Sequence, residues 1–349
     1  MSNVNQQDRT PAARAVRINT LIPATAGDLC IAAGILAAVG FCLPIGSALA
    51  QNYATGPMRI VVPYPPGGGT DVLGRAIGQK LSQRFHQPVV IDNRGGANGT
   101  IGAAVAAKAP PDGHTMLIVA AGYASGLSLY KNLPYDQERD LTSVSRLASG
   151  PLVLVVHPSV PARSIKELVA LAKARPGDVN VGSSGMGSLP HLSAELFASM
   201  SGIKLVHIPY KGAGPGLIGV LSGQVPVYFM NILGSLPQIK AGKLRALGVT
   251  SLERTSIAPD LPTIAESGLP GFDMTNWYGM MAPGATPREV IGKLQHEIAS
   301  IMALPELKDL LAASGMISVA STPEQFAEFL SKETIKYANI IKVAGVKSM

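Results

Sequence analysis

The sequence predicts an α/β protein of two lobes, each carrying a doubly wound sheet. Three observations support that class. From Arg59 onward, apolar strand-like runs alternate with helical periodicities. Each half of the chain has a glycine-rich turn leading from a strand into a helix. At 349 residues the chain also exceeds one ordinary hydrophobic core.

The elements follow in order. Ile60-Val61-Val62 reads as a buried strand, followed by a proline-stiffened turn and Gly67-Gly68-Gly69. Leu73, Ala76, Ile77 and Leu81 then recur at helical spacing and face a core. Val89 to Ile91, Met116 to Val119 and Leu152 to Val156 are continuous apolar runs, as in parallel strands covered on both faces. A second series follows His157-Pro158, with strands at Val179–Gly182, Leu205–Ile208, Val225–Met230 and Leu244–Val249. Three helix starts carry capping chemistry: Ser164 with Glu167, Thr286-Pro287 with Glu289, and Thr322-Pro323 with Gln325. The pattern breaks around Pro270 to Trp277, and the remainder reads as mostly helical. Chain crossings near 152 and 276 divide the chain into residues 53–152 plus 276–349 as lobe one and 153–275 as lobe two. A ligand cleft is expected between them, at the carboxyl ends of the strands.

The first glycine turn brings backbone N–H groups close to whatever lies before the helix, where the dipole is positive. It suits an anion, although a connection without a ligand is the alternative. Arg75 and Ala76 stand where a P-loop requires Lys and Ser/Thr, and Val72 stands where a dinucleotide fingerprint requires glycine. The second turn, Val181 to His191, repeats the logic and adds the hydroxyls of Ser183, Ser184 and Ser188. Met186 breaks the G-x-S-x-G nucleophile elbow. His191 reads either as a base or as a ring hydrogen-bonded near a helix start. Gly214, Gly216 and Gly219 match G-x-G-x-x-G on paper, but Pro215 and the lack of a following acidic residue argue against a nucleotide site. Lys211 is either a cleft-edge cation or simply solvated.

The first fifty residues differ in kind. Arg9, Arg14 and Arg17 precede an apolar run from Leu29 to Leu43, which ends in Ala48-Leu49-Ala50. That order is a secretory signal with cleavage before Gln51. The apolar run would span only about 22 Å as a helix, against a hydrocarbon thickness of about 30 Å. The uncharged stretch does continue to Met58, so an uncleaved anchor stays open. Cys30 and Cys42 both fall in this segment, so the mature chain has no thiol and suits an oxidising compartment. A formal charge of +7 without a cluster of basic and aromatic residues gives nucleic-acid binding no support. The histidines show no metal-ligand spacing and the mature chain no catalytic constellation, so neither a metal, nor a cofactor, nor an enzyme is expected.

The succession YPPGGGTD, LPYD, SSGMGSLPHL, PYKGAGP, LSGQV, IKAGKLRALGVTS, LPTIAESGLPGF and WYGMMAPGATP resembles the exported solute-binding receptors of tripartite tricarboxylate transporters, the Bug family. The resemblance covers essentially the whole mature chain. It implies a two-lobed periplasmic binding-protein fold of type II-like form that closes on a small carboxylate, partly through ordered water. It also implies delivery to membrane permease subunits or, in some members, service as a sensory co-receptor; a monomer is expected. Ligand-binding roles carry over to Tyr64, Gly67, Gly68, Gly69, Thr70 and Asp71, and to Ser183, Ser184, Gly185, Gly187, Ser188 and His191. Tyr210, Lys211 and Asn231 join them. Asp71 is expected to cap its helix or order water, since a bare carboxylate repels an anion. Gly68 is expected to present its N–H to the ligand or a bridging water. The chain departs from the family at Gly219, Pro226 and Met230, where acidic residues are common, and at Gly126-Leu127, where Asn-Pro is. Gly219 and Pro226 are expected on the surface or in turns. Met230 is expected to face the cleft, where it would disfavour a ligand ammonium.

Overall fold

In the computed structural model, which describes residues 55–346, three parallel strands open the fold: β1 (Met58–Val62), β2 (Val89–Asn93) and β3 (Thr115–Ala120). They lie in the order β2-β1-β3, with Ile60 opposite both Ile91 and Met116. The long strand β4 (Leu141–Val156) follows. Then β5 (Val179–Ser183), β6 (Leu205–Pro209) and β7 (Val227–Asn231) repeat the pattern as β6-β5-β7, again parallel. The two lobes therefore share one strand topology.

β4 joins them. Its first part pairs antiparallel with β9 (Thr275–Pro283), and its last residues pair antiparallel with β7 and with β8 (Arg245–Val249). Register shifts between Ser143 and Ser145 and between Arg146 and Ala148 bend the strand along the way. β9 in turn pairs antiparallel with β3, and the short β10 (Ile317–Ser318) pairs with β4. The expected strand at Leu152–Val156 is thus only the end of a 16-residue strand. Trp277 and its neighbours, where the apolar pattern breaks, form a strand that is buried along most of its length.

Helices connect these strands. α1 (Gly69–Phe85) and α2 (Thr100–Ala107) flank the first sheet, and the short α3 (Gly126–Leu129) follows β3. α1 buries Leu73, Ile77 and Leu81, and Gly74 and Gly78 let it lie close to the sheet. A Cβ on Gly74 would sit 3.2 Å from Ile118 Cδ1. In the second lobe stand α4 (Ile165–Ala174), α5 (Leu189–Ser201), α6 (Ala213–Leu221) and α7 (Ile232–Lys240). α8 (Arg288–Met302), α9 (Pro305–Ala313) and α10 (Pro323–Val343) complete the fold. α10 lies on β4 and reaches α5 of the second lobe, so the last helix touches both lobes. Beneath it Trp277 donates to the Glu333 carboxylate at 3.1 Å and packs edge-on against Phe326 and Phe329.

The capping expectations divide. Thr322 and Gln325 form a full capping box, and Ser164 accepts from the Glu167 N–H. The third differs, because α8 begins at Arg288 with Pro287 as its N-cap residue and without a bond from Thr286. Met230 needs a larger correction. It is 5% exposed and packs with Val153, Val155, Val220 and Tyr228, so it belongs to the core of the second lobe and not to the cleft. Gly219 is likewise buried, since Tyr210 occupies the space its side chain would need. The signal segment and its cleavage point lie outside the described residues.

Candidate functional site

Strand carboxyl ends and helix starts converge where the lobes meet. In the first lobe β1 runs into Tyr64 and the glycine triplet, which opens α1. Gly67 takes φ +85°, a conformation glycine reaches without a Cβ penalty. Gly68 is the N-cap residue, at φ −78° and ψ 168°, with no side chain bonding back to the helix. Its backbone is ordinary extended chain, so a β-branched side chain there meets no backbone strain. The close approach is at Gly69, where a Cβ would fall on the Tyr278 hydroxyl. Thr70 is buried in the first helical turn.

Asp71 organises this loop from beneath. Its buried carboxylate accepts from the Gly67 N–H at 2.9 Å, from Arg75 Nε at 3.1 Å and from Asn93 Nδ2 at 3.0 Å. Burial pushes its pKa up. The hydrogen bonds from Arg75, Gly67 and Asn93 and the Arg75 charge outweigh that, and the carboxyl is held below its ordinary 3.8. Asp71 therefore pins the turn through Gly67 and is neutralised by Arg75.

The second lobe repeats the arrangement with hydroxyls. Ser183, at the end of β5, accepts the Gly185 N–H at 3.1 Å and lies 2.6 Å from His207 Nε2. Ser188 is the N-cap residue of α5, yet its hydroxyl donates to the Gly185 carbonyl at 2.7 Å and leaves the helix N–H groups uncapped. Ser184 stands between them, half-buried, beside the Tyr228 hydroxyl. Gly185 and Gly187 take φ +130° and +70°. His191 Nδ1 accepts the Gly187 N–H at 3.0 Å and Nε2 lies 3.4 Å from Glu195, so both ring nitrogens are engaged. His191 shapes the loop as a hydrogen-bonded ring and does have a carboxylate neighbour.

His191 stacks on His207 with ring centroids 3.8 Å apart. Burial, and then the neighbouring His191, push His207 down to about 3. An imidazole that weakly basic is poorly matched to take a proton from Ser183 near neutral pH.

The remaining candidates are dispersed. The Tyr210 N–H ties to the Ser183 carbonyl at 2.9 Å, while its hydroxyl turns to Gln224 at 3.3 Å, away from the loops. Lys211 is exposed and makes no ion pair among the described residues. Asn231, exposed at the start of α7, accepts from Asn276 Nδ2 at 3.4 Å, and Asn276 in turn hydrogen-bonds the Tyr278 hydroxyl. Asn231 is thereby linked through β9 to Gly69 in the other lobe.

Several site residues escaped the sequence reading. Asn93, Asn98, Ser125, His207, Asn276 and Tyr278 act through contacts far along the chain. Only the glycine run around Asn98 left a local signal, because Gly95-Gly96-Ala97-Asn98-Gly99 follows β2 as the first triplet follows β1. Tyr64 closes over Gly99, and burial raises the pKa of its hydroxyl, with Tyr278, Tyr135 and Tyr130 adding to the effect. Tyr135 is pushed up to about 12 by burial. These phenols stay neutral donors, which can meet an anion without adding negative charge. No group of side chains able to hold a metal occurs among the described residues.

Two α/β lobes of matching strand order are thus joined through the long strand β4 and its partner β9. The chain belongs to the tripartite tricarboxylate transporter receptor family, whose model matches residues 73–346. It is 37% identical over 314 residues to BugT of Bordetella pertussis, covering 89% of this chain and 95% of that one. Among solved structures it is similar to Rpa4515 of R. palustris with adipate, at 34% identity and a TM-score of 0.80 over 85% of this chain and 100% of that one. MatC from Rhodopseudomonas palustris with bound malate matches at 28% identity and a TM-score of 0.76, over 83% and 100% of the two chains.

Proposed function

We propose that the chain, after loss of residues 1–50 by cleavage before Gln51, is a monomeric periplasmic receptor that captures a small carboxylate between its lobes. It hands this ligand to the membrane permease subunits of a tripartite tricarboxylate transporter. Lobe one comprises residues 53–152 and 276–349, and lobe two 153–275.

One observation carries the reading. Helices α1, α5, α6 and α7 follow the carboxyl ends of β1, β5, β6 and β7, and none of the four has a side-chain cap. Free N–H groups and the positive dipole end are what an incoming carboxylate satisfies. Gly67 to Asp71 would grip from the first lobe and Ser183 to Ser188 from the second, with Tyr64, Tyr278 and Asn231 as neutral partners. Lys211 would act as a rim cation, and Tyr210 and His191 would hold the second loop in shape. The adipate and malate bound to the two similar structures support a dicarboxylate. The one carboxylate in the first loop is taken by Arg75, so a ligand ammonium has no counter-charge there.

Calorimetry and thermal melts of the mature protein with succinate, malate, adipate, citrate and aspartate test this. A saturating dicarboxylate at 100 times its dissociation constant should stabilise the fold by about 2.7 kcal/mol. A clear preference for aspartate, or no binding of any, contradicts it. The Ser183–His207 contact is the feature an exported hydrolase would use, and conversion of a bound ligand in an NMR time course would favour that class instead.

A further inference from the structure

We propose that Asn98 is the clasp that holds the two lobes together over the ligand; this rests on the receptor reading above. Asn98 Nδ2 donates to the Gly122 carbonyl at 2.9 Å and to Ser125 Oγ at 3.2 Å in the first lobe, and to the Gly187 carbonyl at 3.2 Å in the second. The two carbonyls fix the orientation of the amide, because only its NH₂ end can serve them. Ser125, fully buried, lies 3.0 Å from the same Gly187 carbonyl. The other side of the Gly187 residue is held by His191, so the loop that faces the ligand is gripped from both lobes.

The backbone is shaped for this contact. Ala97 and Asn98 stand consecutively at φ +45° and +50°, a conformation that persists outside glycine only where the surroundings enforce it. Asn tolerates it better than most residues. Gly187 supplies the approach, since a Cβ there would lie on Leu129 Cδ1 and 3.1 Å from Ser125 Oγ. A tie that exists only while the lobes touch stabilises the closed state selectively. It should therefore slow ligand release and leave capture unchanged.

The test compares mature wild type with Asn98→Gly, which relieves the backbone while deleting the amide, and with Asn98→Asp, which sets a carboxylate against two carbonyls. The single tryptophan, Trp277, serves as fluorescence reporter in stopped flow with adipate as probe. Asn98→Gly should dissociate adipate about tenfold faster with an association rate within about twofold of wild type, and Asn98→Asp faster still. Small-angle scattering of the unliganded proteins should show a larger radius of gyration for both variants. Unchanged dissociation in a folded variant, or equal losses in association and dissociation, overturns the clasp. If wild type binds no adipate, the receptor reading is at fault, and scattering decides the clasp alone: indistinguishable profiles overturn it, expansion supports it.

Discussion

An alanine scan of Gly67, Gly68 and Gly69 separates three physical demands that look identical in the sequence. At Gly69 a new Cβ would fall on the hydroxyl of Tyr278, which is only 7% exposed and cannot swing into solvent. An ordinary contact needs about 3.5 Å, so the ring or the first helical turn must shift, and overpacking of this kind costs about 1–3 kcal/mol. At Gly67 there is open space, but φ +85° charges a side chain about 1–2 kcal/mol of backbone strain. At Gly68 the nearest atom to a Cβ is the Pro65 carbonyl oxygen at 3.8 Å and φ is −78°, so alanine should leave stability within about 0.5 kcal/mol of wild type. Urea melts of the mature variants read these differences directly. Binding should invert the order for Gly68, whose N–H the receptor reading assigns to the ligand: Gly68→Val should lose at least about tenfold in carboxylate affinity in a protein as stable as wild type. A neutral Gly69→Ala, or Gly68→Ala as the most destabilised of the three, would refute this reasoning.

Three further outcomes follow from the same geometry. Asp71→Asn should cost about 1–3 kcal/mol at neutral pH by weakening three hydrogen bonds. Because the folded carboxyl sits below 3.8, its contribution is present above that pH and lost as pH falls through the folded value, so wild type and variant should converge in acid melts. His207 behaves with the other linkage: the unfolded ring takes up its proton near 6.5 and the folded ring only near 3, so stability should fall as pH drops through that window. His207→Gln should flatten the decline, and an unchanged slope in melts from pH 7 to 4 would contradict it. Lys211→Ala should slow association modestly, and the difference should vanish in high salt as the Debye length shrinks to about 3 Å.

Much of the fold was legible because most parallel strands here are short apolar runs between glycine, proline or capping signals. The first half of β4 was not, since Leu141 to Gly150 mixes small, polar and charged residues and is a strand by virtue of its pairing with β9. β9 itself hid behind aromatic and methionine residues with no period. In the site, the glycine turns announced themselves through backbone chemistry that any sequence displays. Which glycine is crowded did not, because the crowding atom at Gly69 belongs to Tyr278, more than two hundred residues away. Ser125 was invisible for the same reason, and the glycine run around Asn98 marked a turn without showing its distant partner, Gly187. Met230 misled because its neighbour Asn231 is exposed, while alternation along β7 turns Met230 into the core of the second lobe.

The most direct test of the receptor reading is the structure of the mature protein with adipate bound. A carboxylate oxygen should lie within about 3.2 Å of a backbone N–H in Gly67 to Asp71, directly or through one water. Another should meet the Ser183 to Ser188 loop, with Asn98 still bonded to Gly187. Adipate held by one lobe only, or by surface lysines away from both glycine turns, would contradict the account.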